Sequence, residues 1–443
     1  MYDRRTPLFI LSLLLLSTMP IHVLAQAPPT PNVVDLTIGT SVQGRPITAL
    51  RIGNGPRKLV LIGDTHGLPE ANTYELVSSL ATYYRAHPEQ VPASVRLYIV
   101  PTINPDGLAL GTRFNARGVD LNRNMNTNLD SCPENDWNVT VQGARGIVSD
   151  TGGSYPDSEV ESQVVRDFLL DASAVVFYHS NAGNVFPAFC EYAPSIALAQ
   201  VYADAGSYQY DRFWNNYTIT GGMHDWASSL GIAAIIPELI SAVDPEFDQN
   251  LAAVQAVLAR AEDLLPLPQP RIEQGLPVHP ILWRYWKMHG GMAMFGPPLA
   301  APVREGALVR QAFTNVVLEY HPDQADTPYL VQPALLGQFA LLGPNVQYAT
   351  PPDDALSFSS MKSRIFGAFA AYWELNGLGV LGYPLTNEYD GRAADGIRRP
   401  MQIFERAVLA YYIEDQTVRL EPLGWAALIR ERSTAATLRH QIR

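Results

Sequence analysis

Lys58-Leu-Val-Leu-Ile-Gly-Asp-Thr-His66-Gly-Leu-Pro-Glu70 decides the fold. A short apolar run ends at Gly63 and is followed at once by chemistry-bearing side chains. A run of that length, bounded by glycine, predicts a buried strand with His66 just beyond its carboxyl end. Open α/β sheets place their ligand sites there. The rest of the chain alternates in the same way. Residues 71–85 carry helical periodicity, 95–100 read as a strand, 158–171 as a helix and 174–178 as a buried strand. A helix over 223–230, a strand over 232–236 and a helix over 245–265 follow. This order predicts an α/β class with a mixed or largely parallel sheet, covered by helices on both faces.

His179 follows the 174–178 strand as His66 follows the first one. Two histidines and a carboxylate, with one position left open, make a hydrolytic zinc site, so His66, His179 and Glu70 are the metal-ligand candidates. Asp64 ranks behind Glu70 as the carboxylate. Glu238 closes the apolar run Ile232 to Pro237, where a carboxylate needs a partner or a purpose.

Between the two histidines lies Asn104-Pro-Asp-Gly107, then Arg113 and Gly118-Val-Asp-Leu-Asn-Arg-Asn124. With Ser158-Glu-Val-Glu161, Tyr217 to Gly222, Asp225-Trp226 and Glu238-Leu239, this order and spacing resemble the zinc carboxypeptidase family, over about residues 33–265. The resemblance implies one Zn²⁺ held by His66, Glu70 and His179. It implies Glu238 as the general base and Arg113 as the group that stabilises the oxyanion. Asn122, Arg123 and Tyr217 would hold the substrate's terminal carboxylate, Asp120 would orient His66, and His224 would line the side-chain pocket. A histidine there suggests a polar or acidic substrate side chain. The usual family spacing is His-x-x-Glu; here Pro69 occupies that place and the carboxylate falls at Glu70, so the extra residue must be absorbed in the loop before the helix.

Outside this region the chain is punctuated. Arg4 and Arg5, the apolar run from Leu8 to Met19 and Val23-Leu24-Ala25 have the layout of a secretory signal peptide over residues 1–25. A Pro-rich leader (26–32) and a Pro-rich interdomain linker (266–280) bracket the catalytic region 33–265. Beyond them, Trp286 to Leu299 resembles Trp373 to Leu385, and Phe313 to Tyr320 resembles Phe404 to Tyr411. The expected organisation is repeat 1 (281–343), a connector (344–354) and repeat 2 (355–430). Leu381-Gly-Tyr-Pro-Leu-Thr-Asn-Glu388 resembles LGFP-type envelope repeats, which implies cell-wall or carbohydrate contact.

The 443 residues suggest two or three domains. With 43 acidic against 31 basic residues, the net charge of -12 excludes a binder of nucleic-acid backbones. After residue 25 no stretch is apolar and long enough to span a membrane. In an exported chain Cys132 and Cys190 are expected to pair. The sequence therefore predicts a secreted or cell-envelope zinc carboxypeptidase acting on a peptide. A murein stem-peptide hydrolase on the same scaffold and a catalytically inactive envelope-binding protein are the alternatives.

Overall fold

The computed structural model describes residues 31–143, 146–341 and 346–431. The expected signal segment and most of the leader lie outside them. The central sheet has nine strands, numbered here in chain order: β1 (Val33–Thr40), β2 (Pro46–Ile52), β3 (Arg57–Ile62), β4 (Val95–Val100), β5 (Ala174–Phe177), β6 (His179–Ser180), β7 (Asn184–Pro187), β8 (Gln209–Tyr210) and β9 (Ala233–Leu239). Their spatial order is β1-β2-β4-β3-β5-β9-β7-β8, with β6 paired on β9. The centre, β4-β3-β5-β9, is parallel, and the antiparallel pairs β1–β2, β2–β4 and β9–β7 flank it. The sheet is thus mixed, as the alternating pattern predicts.

Strand periodicity puts alternate side chains into two cores. Leu59, Leu61, Val176 and Ile235 face one side, under the helices Ala71–Ala86, Ala193–Gly206 and Phe247–Ala259. Val60, Ile62, Phe177 and Ile236 face the other, where Val165 and Phe168 of the Val160–Phe168 helix and Trp226 of the Met223–Ser229 helix cover them. The 245–265 segment breaks at Arg260 into two helices, Phe247–Ala259 and Ala261–Leu264.

The segment expected to be a linker folds as a hairpin (Arg271–Glu273 with Leu276–Val278) and runs directly into the helix Pro280–Met288. The second core continues across it, through Leu282, Trp283, Tyr285 and Trp286 to Phe313, Leu318, Phe404 and Leu409. Arg284 is buried and donates to the carbonyls of Leu170, Ala172, Leu230 and Gly231, at 2.8–3.0 Å. Asp326 accepts from Arg51 and Tyr98 of the central sheet. A four-stranded antiparallel sheet forms within residues 303–333 and another within 389–420. Matching contacts serve both units. Trp286 Nε1 donates to Gly296 O and Trp373 Nε1 to Gly382 O, while Gln311 and Gln402 each donate to two backbone carbonyls. No described helix is long and apolar enough to cross a membrane.

Candidate metal and substrate site

The parallel strands deliver their side chains to one edge. His66 follows β3, His179 opens β6, and Glu238 lies near the end of β9, in register with His179 across the β6–β9 pair. Glu70 arrives through a single 3-10 turn, Leu68–Glu70, with Pro69 inside it. The turn absorbs the extra residue of the His-x-x-x-Glu spacing. It depends on Gly67, whose φ of +56° suits glycine; a Cβ there would stand 2.1 Å from Thr112 O. Gly67→Ala should therefore displace His66 and Glu70 together and lower zinc affinity by about tenfold or more, as removal of a ligand-orienting group does, read as metal content after dialysis.

His66 Nδ1 lies 2.6 Å from Glu70 Oε1, and His179 Nδ1 lies 2.9 Å from Glu70 Oε2. Both rings turn the same nitrogen inward. Nε2 of His66 is 3.0 Å from Asp120 Oδ1, which fixes the ring and leaves Nδ1 for a ligand role. All three residues are buried, and their ligand atoms lie within 4.8 Å of one another. Two imidazole nitrogens and one carboxylate form the donor set that a hydrolytic Zn²⁺ takes while keeping a position open, so the residues present fit that ion. Asp64 stays outside the cluster. Its carboxylate accepts from Thr102 Oγ1 at 2.5 Å, and burial pushes its pKa up to about 8.

Charge is arranged tightly around the triad. Burial favours the neutral form of Asp120, but Arg113 and His66 outweigh it and hold the carboxyl well below its usual range. Burial likewise opposes ionisation of Glu70, and the two histidines overcome it, lowering its pKa. Arg113 Nε bonds Asp120 Oδ2 at 2.9 Å, and its Nη1 is 3.3 Å from Glu70 Oε1. Burial pulls the Arg113 pKa down, yet these two carboxylates raise it overall. Glu238 is half-buried; desolvation, only partly offset by His179, lifts its pKa to about 7. A carboxylate near neutrality can both take and return a proton.

A cavity of about 540 Å³ collects these groups with Asn122, Arg123, Tyr217 and His224. Arg123 is buried, and among the described residues no carboxylate lies within ion-pair distance of it. One of its nitrogens donates to Asn122 O at 2.7 Å, and its guanidinium sits 5.9 Å from the Tyr217 ring. The Asn122 side chain accepts from Met223 N at 2.9 Å and stands 3.4 Å from His179 Nε2. His224 is buried, and burial pushes its pKa down to about 3, so it is neutral at pH 7. All ten residues expected from the sequence meet at this cavity except Asp120, which lies behind His66. The Ser158 to Glu161 motif does not reach it: Glu159 and Glu161 instead hold Asn115, in the loop between Arg113 and Asp120.

The cavity walls are Phe186, Phe189, Trp214, Ile219 and Ile236, none of which the sequence marks as a pocket residue. They come from separate loops and strands and share no local pattern. Phe189 carried the one available signal, as the neighbour of Cys190. Cys132 and Cys190 are disulfide-bonded beside this wall.

Part of the chain is similar to known proteins. Over 163 residues the chain is 31% identical to carboxypeptidase B of Astacus astacus, covering 31% of this chain and 49% of that protein. It is 32% identical over 149 residues to murein peptide amidase A of Escherichia coli, covering 32% and 57%. An inactive metallocarboxypeptidase of Ajellomyces capsulatus is 28% identical over 155 residues, covering 31% and 25%. The chain spans about half the length of carboxypeptidase B and of murein peptide amidase A, 49% and 57%. Among solved structures, bovine thrombin-activatable fibrinolysis inhibitor aligns with a TM-score of 0.44 at 20% identity, over 52% of this chain and 90% of that one. The murein-tripeptide amidase of Escherichia coli O157 aligns at 0.39 and 23%, over 55% and 95%. Residues 25–249, which contain every ligand and every cavity residue above, match the zinc carboxypeptidase family, and the chain belongs to that family.

Proposed function

We propose that the protein is an exported zinc-dependent carboxypeptidase that hydrolyses the peptide bond next to a free C-terminal carboxylate. One observation carries the reading. A ligand triad, a carboxylate of raised pKa and a buried arginine with no ion-paired carboxylate among the described residues share a single cavity. A bound zinc ion would supply Lewis-acid activation of water and of the scissile carbonyl. The chain's own residues divide the remaining work. Arg123, with Asn122 and Tyr217, takes the terminal carboxylate, for which a guanidinium fork is suited. Glu238 removes a proton from the attacking water as the new C–O bond forms. It then delivers that proton to the amine nitrogen as the C–N bond breaks. Arg113 stabilises the negative charge that develops on the carbonyl oxygen.

The pocket walls are aromatic and aliphatic, with neutral His224 among them. They favour a C-terminal side chain with an apolar body and a hydrogen-bonding end over a fully charged one. A murein stem peptide as substrate is the second reading, favoured by the similarity to murein peptide amidase A. The N-terminal sequence and the disulfide support export to a secreted or envelope location. The two C-terminal units, read as a duplication, would supply the wall contact.

Zinc analysis of the purified protein, with hydrolysis of a panel of peptides and murein stem fragments, tests the proposal. Close to one zinc per chain and release of single C-terminal residues are expected. Glu70→Ala should lose the metal. A wild-type protein that binds no zinc and cleaves nothing would be a binding protein on this scaffold.

A further inference from the structure

The Cys132–Cys190 disulfide joins two segments 58 residues apart in sequence, with Cα atoms 5.9 Å apart. Neither cysteine touches the ligand triad or Glu238. Each instead anchors one side of the side-chain pocket.

On the Cys190 side, Phe189 lines the cavity and meets the His224 ring edge-to-face at 5.3 Å. Its amide donates to Asp225 Oδ1 at 2.7 Å, beside His224, and Arg212 donates to the carbonyls of Ala188 and Phe189, both at 2.8 Å. On the Cys132 side, Asn135 N donates to Cys132 O. The Asn135 carbonyl in turn accepts from Gly221 N at 3.0 Å and from Thr127 Oγ1 at 2.7 Å, and Gly221 O accepts from Met125 N. Gly221 leads straight into the turn that carries Met223 and His224. The covalent link therefore closes a ring around the pocket: Phe189, the disulfide, the Asn135 loop, Gly221 and His224.

We propose that this disulfide is a positioning element for substrate selection, fixing the separation between the Phe189 wall and the His224 turn. This rests on reading the cavity as the site of the substrate's C-terminal residue. With the link broken, the hydrogen bonds through Gly221 and Asp225 remain to tie the Asn135 loop to the Phe189 wall, and these can open where the covalent link cannot. Peptides with a large C-terminal side chain then lose packing that peptides ending in alanine never had. Chemistry at the metal site is not altered. Both cysteines are half-buried, so reductants can reach them.

The test compares wild type, wild type reduced and alkylated, and the Cys132→Ser/Cys190→Ser double variant, all zinc-loaded. For peptides ending in a large residue KM should rise about tenfold with kcat nearly unchanged, while alanine-ended peptides change little. A link that only stabilised the fold would lower Tm and leave the ratio of the two KM values unmoved, and that result overturns the proposal. Backbone amide exchange gives a readout that does not need turnover. The amides of Phe189 and Gly221 should exchange faster once the link is broken, while those of β3 and β5 do not. Unchanged exchange at Phe189 and Gly221 also overturns it. A wild type that cleaves no peptide at all counts against the carboxypeptidase reading instead, and the exchange result then decides the role of the disulfide.

Discussion

Glu238→Gln should leave zinc content and substrate binding near wild type and reduce kcat by two to four orders of magnitude, the range set by loss of a positioned general base. The substitution keeps the shape of the side chain and removes its ability to accept a proton. Its neighbours argue for that outcome. Glu238 sits in register with His179, faces the same cavity as Arg113 and Arg123, and has its pKa lifted to about 7 by burial. A neutral glutamine relieves the desolvation, so the fold should be no less stable than before. Stopped-time product release at saturating substrate measures kcat, and metal analysis of the same preparation separates lost chemistry from lost zinc. If the variant retains more than about a tenth of wild-type kcat, the base lies elsewhere and the assignment of Glu238 is wrong.

The second large effect concerns stability. Arg284→Met should destabilise the whole described chain by roughly 4 kcal/mol, because buried carbonyls left without donors cost about 1–3 kcal/mol each. Four carbonyls of the catalytic region converge on this guanidinium. Gly231 O keeps the Tyr192 hydroxyl as a partner, and the other three lose the donor that Arg284 supplied. Methionine fills similar volume, so the loss reports hydrogen bonding more than a cavity. Urea denaturation followed by near-UV and far-UV signals should show one transition shifted to lower urea. Two separate transitions, with only the C-terminal one shifted, would mean that the two parts unfold independently. Ending the chain near residue 265 should be worse still, since it removes Leu282, Trp283 and Tyr285 from the core they share with Phe168 and Trp226.

The sequence made the catalytic region legible because its chemistry is attached to strand ends. The buried runs before His66, His179 and Glu238 mark three strands, and a parallel sheet brings their ends together. Glu70 was legible even at its unusual spacing, since a proline can enter the first turn but cannot ligate. The rest was hidden for physical reasons. Phe186, Trp214 and Ile219 converge only through tertiary folding, and an aromatic residue in a loop gives no sign of which cavity it will face. Arg284 reads as an ordinary charge, because nothing local announces that four distant carbonyls need it. Prolines at 266, 268, 270, 277 and 280 suggest a spacer, yet the hairpin they flank lies against a shared core. Apolar periodicity identifies a buried face but does not name its partner.

The pairing of Glu238 with His179 across β6 and β9 has one more consequence. The proposed base and the candidate ligand face each other on one rung of a single hydrogen-bonded ladder, so their register changes only in steps of one residue and cannot drift by fractions. A slip by one rung would turn one of the two side chains to the opposite face. Heating therefore offers the site no gradual loosening along this direction. Base and ligand keep their alignment until the ladder itself gives way, so that catalytic geometry and the sheet fail as one event.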